Sequence, residues 1–248
     1  LSAEAAGCPV DSFLLTADRG FVLPLEEIEK KLLPHSLIYL GHPNNPDGQL
    51  LSPSDFEAVL HLAKKKESFL IIDESFIDFV GDDVSYRRVL VNETCGAVVM
   101  SLTKFYAVPG LRIGAAFLHS ALAERLRDTL IPWNVNGLAQ SYMTAAAQDL
   151  DYIKDSRGYC QTEREKLSAA LEALDFVKVL PGSVNFILCQ LIGKFETAGK
   201  LQKALMPYHI FIRQCGNYEG LGETYFRVAV RTEEENQILI KALGAVEN

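Results

Sequence analysis

What the chain lacks narrows its identity first. Its five cysteines, Cys8, Cys95, Cys160, Cys189 and Cys215, never form a C-x-x-C pair. Neither a zinc site nor a disulfide framework is indicated, and a reducing, cytoplasmic setting is expected. No apolar run approaches the roughly 18 to 20 residues that a membrane-spanning helix needs. The opening LSAEAAGCPV carries neither a basic region nor an apolar stretch, so it does not read as a signal peptide. It also lacks an initiating methionine, and the sequence is expected to begin inside a longer protein. Neither G-x-G-x-x-G nor G-x-x-x-x-G-K-[ST] occurs, which removes the dinucleotide fingerprint and the P-loop. Positive charge is in deficit as well. The net charge of -8 argues against nucleic acid or a membrane surface as the main partner and leaves room for local basic sites that take a small anion.

What is present is an ordinary globular composition, 48% hydrophobic and 23% charged over 248 residues, enough for one large domain or two modest ones. The first half alternates short apolar runs with helical patterns. SLIYLGH (36–42), SFLIIDE (68–74), GAVVMS (96–101) and IGAAFL (113–118) read as strands. Between the first two lies a helix over 52–66, with Ser52 as N-cap, Pro53 in the first turn and Asp55 beside it. Such alternation implies a parallel or mixed sheet covered by helices, with ligands beyond the strand carboxyl ends. Residues 136–171 read as one connecting helix. After them come strands in FVKVLPG, SVNFILCQL, HIFIRQ and TYFRVAV, a helix in KFETAGKLQKALM, and a last helix opened by the capping box Thr232-x-x-Glu235. The expected division is a large α/β domain over 1–135, the connecting helix over 136–171, and a smaller α+β domain over 172–248.

Three strand ends carry unusual chemistry. Pro43-Asn44-Asn45-Pro46-Asp47-Gly48 follows the first, Asp73-Glu74-Ser75-Phe76 the second and Ser101-Leu102-Thr103-Lys104 the third, with Arg112 eight residues past the lysine. Singly, each has an ordinary explanation: a turn, a helix cap, a surface charge. Together they would meet at one edge of one sheet. Ser101-x-x-Lys104 also matches the nucleophile motif of penicillin-recognising enzymes. That reading needs S-D-N and K-T-G downstream, and neither occurs.

A different chemistry uses every piece. Pyridoxal phosphate (PLP) needs a lysine to hold it as a Schiff base and an aspartate to keep its ring nitrogen protonated. Ser101 and Arg112 suit its phosphate, and the Asn45 amide suits the ring O3′. The chain resembles the fold-type I PLP enzymes of the aminotransferase superfamily, through Asn-Pro-x-Gly (45–48), Asp-x-x-aromatic (73–76), Ser-x-x-Lys (101–104) and the following arginine, in family order and spacing. The resemblance implies a three-layer α/β/α major domain, incomplete here, with a smaller α+β domain after it. It implies Lys104 as covalent anchor and proton shuttle, Asp73 on the pyridinium, Asn45 on O3′, and Ser101 and Arg112 on the phosphate. It also implies Arg227 as the arginine for the substrate carboxylate, and a homodimer.

Two branches compete, histidinol-phosphate aminotransferase and L-threonine-O-3-phosphate decarboxylase. Phe76, where most of the superfamily has a tyrosine, leans toward the decarboxylase. So do PWNVN (132–136) and the segment FIRQCGNYEGLGETYFRVAVRT, with Arg231 four residues past Arg227. In a continuous strand Arg227 and Arg231 would share a face, and Arg213 would join them if its strand aligned, giving a doubly anionic, phosphorylated amino acid several guanidiniums. The alternative for Arg213 and Arg231 is a surface ion pair. His42 and Asp47 stand where the resemblance leads one to expect asparagine and threonine. The family's glycine-containing phosphate loop and ring-stacking aromatic have no counterpart in the sequence, so a catalytically incomplete fragment or binding module is the expectation of a different class.

Overall fold

The structure is a computed structural model that describes residues 2–247. In chain order its helices are α1 (Ser2–Ala5), α2 (Leu25–Lys31), α3 (Pro53–Lys65), α4 (Arg87–Leu90), α5 (Leu102–Phe105), α6 (Ser120–Thr129), α7 (Gly137–Ala146), α8 (Leu150–Glu172), α9 (Ala198–Leu205) and α10 (Glu233–Glu247). Its strands are β1 (Leu37–Gly41), β2 (Phe69–Asp73), β3 (Gly96–Ser101), β4 (Gly114–Leu118), β5 (Val177–Val179), β6 (Phe186–Leu191), β7 (Arg213–Gln214) and β8 (Tyr225–Ala229).

The apolar runs of the first half form one sheet in the order β1-β2-β3-β4. The first three strands are parallel, and β4 returns antiparallel to β3. Alternation along the strands sends Ile38, Leu70, Ile72, Val98 and Met100 to one face. There they bury against Phe56, Val59, Leu60 and Ala63 of α3. That helix starts as its sequence dictates: Ser52 Oγ accepts from the Asp55 amide at 3.1 Å, just ahead of Pro53. The opposite face is only partly covered among the described residues, with Leu37 55% and Tyr39 57% exposed.

A second sheet, β5-β6-β8-β7, is antiparallel throughout. Its core packs β6 and β8 against α9 and α10 and against Leu167 and Leu171 of α8. The Thr232 capping box forms as expected, with the Glu235 amide donating to Thr232 Oγ1 at 3.3 Å and the Thr232 amide to Glu235 Oε2 at 3.4 Å. Two expectations change. The single helix over 136–171 is a pair, because Asp149 accepts from the Tyr152 amide at 2.9 Å and restarts the chain as α8. The strand expected in TYFRVAV ends at Ala229, two residues short of Arg231.

Candidate active site

Register places the polar strand ends. Asp73 pairs with Gly41 on one side and Val99 on the other. Asp73, Ser101 and Tyr39 therefore project from the same face, the one that α3 does not cover. Asp73 is held from both sides: its Oδ1 accepts from the Ser75 amide at 3.0 Å and the Ser75 hydroxyl at 2.5 Å. Its Oδ2 accepts from the Tyr39 phenol, also at 2.5 Å. Burial first, then the Asp73 partner, pushes the Tyr39 hydroxyl well above its ordinary pKa.

Lys104 leaves β3 on the single turn of α5. Its Nζ lies 5.1 Å from the centre of the Phe76 ring. Partial burial pushes the Lys104 ammonium below its ordinary pKa, Asp73 pulls it back, and Arg112 adds to the push. A neutral amine is the nucleophilic form, so this environment favours attack on a carbonyl. Ser101 and Thr103 share a hydroxyl–hydroxyl bond of 2.8 Å. Arg112 has a left-handed backbone, φ 52°, and its Nη1 donates to the Pro109 carbonyl at 3.1 Å.

The second sheet reaches this edge through a close backbone approach. Gly48, at φ +75°, turns the Asn-Pro-Asp-Gly loop, and its carbonyl accepts from the Ser183 amide at 2.9 Å. A Cβ on Gly182 would lie 2.6 Å from the Asp47 carbonyl oxygen, so the two loops touch only because that residue is glycine. The contact brings Arg227 to Asn45, with Nη1 donating to Oδ1 at 2.5 Å. The Tyr218 hydroxyl donates to the same oxygen at 3.2 Å. With Oδ1 taken twice, the Nδ2 donor of Asn45 is the free half of the amide. The Arg227 guanidinium lies 4.4 Å from the Phe186 ring centre, and Phe186 meets Phe76 edge-on at 5.1 Å. Arg213 is the register partner of Arg227, so both side chains rise from one face.

Both residues that depart from the expected turn have structural work. The buried His42 ring accepts from the Leu51 amide at Nδ1, 2.9 Å, and donates Nε2–H to the Val84 carbonyl at 2.8 Å. Buried Asp47 accepts from the Gln49 amide at 2.7 Å and the Asn44 side chain at 2.5 Å, the Asx-turn geometry that fixes the loop.

A match to the family model for aminotransferases of class I and II runs over residues 2–243. The chain belongs to that family. The family's cofactor is pyridoxal 5′-phosphate. The chain is 33% identical over 242 residues to a threonine-phosphate decarboxylase of Salmonella typhimurium, covering 97% of the chain and 66% of that relative. It is 32% identical over 211 residues to a histidinol-phosphate aminotransferase of Caldanaerobacter subterraneus, covering 85% of the chain and 57% of the relative. Among solved structures, a histidinol-phosphate aminotransferase from Clostridium acetobutylicum superposes with a TM-score of 0.91 at 31% identity, over 99% of the chain and 73% of that structure. The chain thus spans between 28% and 66% of the length of the first curated relatives it matches.

Within this family member, Lys104, Asp73, Asn45, Phe76, Ser101, Arg112, Arg227 and Arg213 gather at one edge. Arg231 does not join them: it sits beyond β8, and its Nη2 pairs with Glu235 at 2.7 Å. That arginine and the Thr232 hydroxyl hold the Glu235 carboxyl down to about 2. Sequence reasoning missed Tyr39, Tyr218 and Phe186. Tyr39 had a signal, since strand parity with Asp73 puts its phenol on the site face. Tyr218 sits in a loop without periodicity and had none.

Proposed function

We propose that this protein binds PLP at Lys104 and decarboxylates L-threonine O-3-phosphate to aminopropanol phosphate, a step toward the cobalamin nucleotide loop. The donor set fits the cofactor. An amine of lowered pKa, a twice-anchored carboxylate, an amide with its donor half free, and hydroxyls beside a guanidinium match an aldehyde, a ring nitrogen, a phenolate oxygen and a phosphate in turn. When bound, PLP supplies an electron-accepting ring conjugated to the bond that breaks at the substrate Cα.

The chain's own residues do the rest. Asp73, held in place by Ser75 and Tyr39, would face the cofactor's ring nitrogen. Asn45 Nδ2 would donate to O3′ while its Oδ1 accepts from Arg227. Ser101, Thr103 and Arg112 would hold the cofactor phosphate. Arg227 and Arg213 would hold the substrate's two anionic ends and so fix which bond at Cα is presented for cleavage. Lys104 Nζ, in its protonated form, would deliver a proton to the substrate Cα once carbon dioxide has left.

The observation that carries this reading is the alignment of Arg213 with Arg227 on one face, two guanidiniums for a doubly charged substrate, with Phe76 in place of a phenol. The likeness to the Clostridium aminotransferase favours a second reading, amino transfer from a phosphorylated amine such as histidinol phosphate. The proposal includes a homodimer in the cytoplasm. Among the described residues no helix is long and apolar enough to cross a membrane.

The deciding experiment supplies PLP and L-threonine O-3-phosphate without any 2-oxo acid. Release of carbon dioxide with a phosphorylated amine is the expected result. Turnover only with histidinol phosphate plus a 2-oxo acid acceptor would replace this reading with the second.

A further inference from the structure

The turn that carries Lys104 cannot hold its own shape. α5 is four residues long, far below the length at which a helix is stable alone. It ends in a sharp reversal where Ala107 takes a left-handed backbone, φ 53°, that a non-glycine residue avoids. The carbonyls at this end show what holds it. Those of Thr103 and Lys104 accept from the Val108 and Ala107 amides at 3.0 and 3.2 Å. The next two are taken by side chains from elsewhere: the Tyr152 hydroxyl donates to the Phe105 carbonyl at 2.8 Å, and the Tyr142 hydroxyl to the Tyr106 carbonyl at 3.1 Å.

Tyr142 lies on α7 and Tyr152 on α8. The Tyr152 ring stacks on Tyr106 at 6.1 Å and meets Phe105 edge-on at 5.8 Å, so ring and hydroxyl act on the same two residues. α7 holds a second point of the site as well. Its N-cap, Asn136, accepts from the Ala139 amide and donates Nδ2 to the Leu111 carbonyl at 2.9 Å. Leu111 precedes Arg112, whose backbone is also left-handed. The break between α7 and α8 is what lets two helices approach these carbonyls from separate directions.

We propose that Tyr152 and Tyr142 are positioning residues for Lys104, setting where its amine points by fixing the carbonyls that follow it. The inference rests on the reading of Lys104 as the cofactor anchor. The two hydroxyls complete a turn that backbone bonds leave half made, and α8 ties the turn to the second core through Leu167 and Leu171. Removing them frees the lysine to swing toward solvent and away from Asp73 and Phe76.

The test is the double variant Tyr142→Phe/Tyr152→Phe, which keeps both rings, beside Tyr159→Phe as a control. Tyr159 is on α8 too, and its hydroxyl accepts from the Glu233 amide at 3.0 Å, remote from the turn. Two readouts are taken on full chains without substrate: the pH midpoint of Lys104 modification by an amine reagent, and the rate of PLP capture trapped by borohydride. The double variant is expected to raise the midpoint toward that of a free lysine and to slow capture about tenfold, the scale of one or two net hydrogen bonds. Tyr159→Phe is expected to change neither. Wild-type values in the double variant, or equal shifts in the control, overturn the inference. If the double variant does not fold, the single Tyr142→Phe is read the same way. Failure of wild-type Lys104 to capture PLP at all would instead sink the anchor reading, so the two failures are distinguishable.

Discussion

Asn45 and Arg227, 182 positions apart in sequence, meet at 2.5 Å through one hydrogen bond. That bond joins the edge of the first sheet that carries Asp73 and Lys104 to the face of the second sheet that carries Arg213 and Arg227. A group expected to touch the cofactor and a group expected to touch the substrate are thus one unit, and disturbing either should be felt by the other.

The arginines separate by their partners. Arg227→Ala should raise KM for L-threonine O-3-phosphate by about 10- to 100-fold, the scale of a charge-assisted hydrogen bond lost without a substitute. Arg213→Ala should act in the same direction. Arg231→Ala should leave KM within about twofold, because an exposed ion pair with Glu235 occupies that side chain. Steady-state kinetics on the three variants checks the order; an Arg231 effect equal to that of Arg227 would reinstate it in the site.

Phe76 offers only a ring face to Lys104. Phe76→Tyr adds a hydroxyl that can donate toward O3′ and so favour its anionic form. The pH midpoint of the bound cofactor's visible absorbance should fall. A midpoint at or above the wild-type value would mean that the ring at 76 does not lie near O3′.

His42 makes stability depend on pH. Burial pushes its pKa below the ordinary 6.5, against the Val84 carbonyl bond, and the Leu51 amide needs Nδ1 unprotonated. The unfolded chain therefore binds the proton more readily. The ring's contribution is complete above 6.5 and is lost as pH falls through the depressed folded value. The urea midpoint should drop between about pH 7.5 and 5.5, and His42→Asn should flatten that slope. An unchanged slope would show that His42 does not set it.

Gly182→Ala tests the docking of the two loops. A Cβ there would meet the Asp47 carbonyl at 2.6 Å, an overlap that should cost about 1–3 kcal/mol of stability. Because it wedges the Asn45 loop from the Arg227 sheet, KM should rise with it. Denaturant melts paired with kinetics read both effects; lost stability with unchanged KM would uncouple the docking from the site.

Much of this was legible in the chain itself. The first sheet's strands stand out as apolar runs, α3 announces its start with Ser52-Pro53, and the polar residues Asp73, Lys104 and Asn45 stand at or just past strand ends. Arg231 misled because a strand pattern was carried too far. The capping box at Thr232 already implied that the chain turns into a helix there, which leaves Arg231 outside the strand and paired with Glu235. The helix pair α7–α8 was hidden because helical periodicity survives a three-residue break. The bonds of Tyr218, Tyr142 and Tyr152 depend on which distant carbonyl or amide lies opposite, and no local pattern encodes that.

The central claim is that this edge is a PLP site anchored on Lys104. Incubation with PLP, borohydride reduction and peptide mass analysis test it most directly. One pyridoxyl adduct, confined to the peptide carrying Lys104, is expected. No adduct, or label spread over the surface lysines, would contradict it.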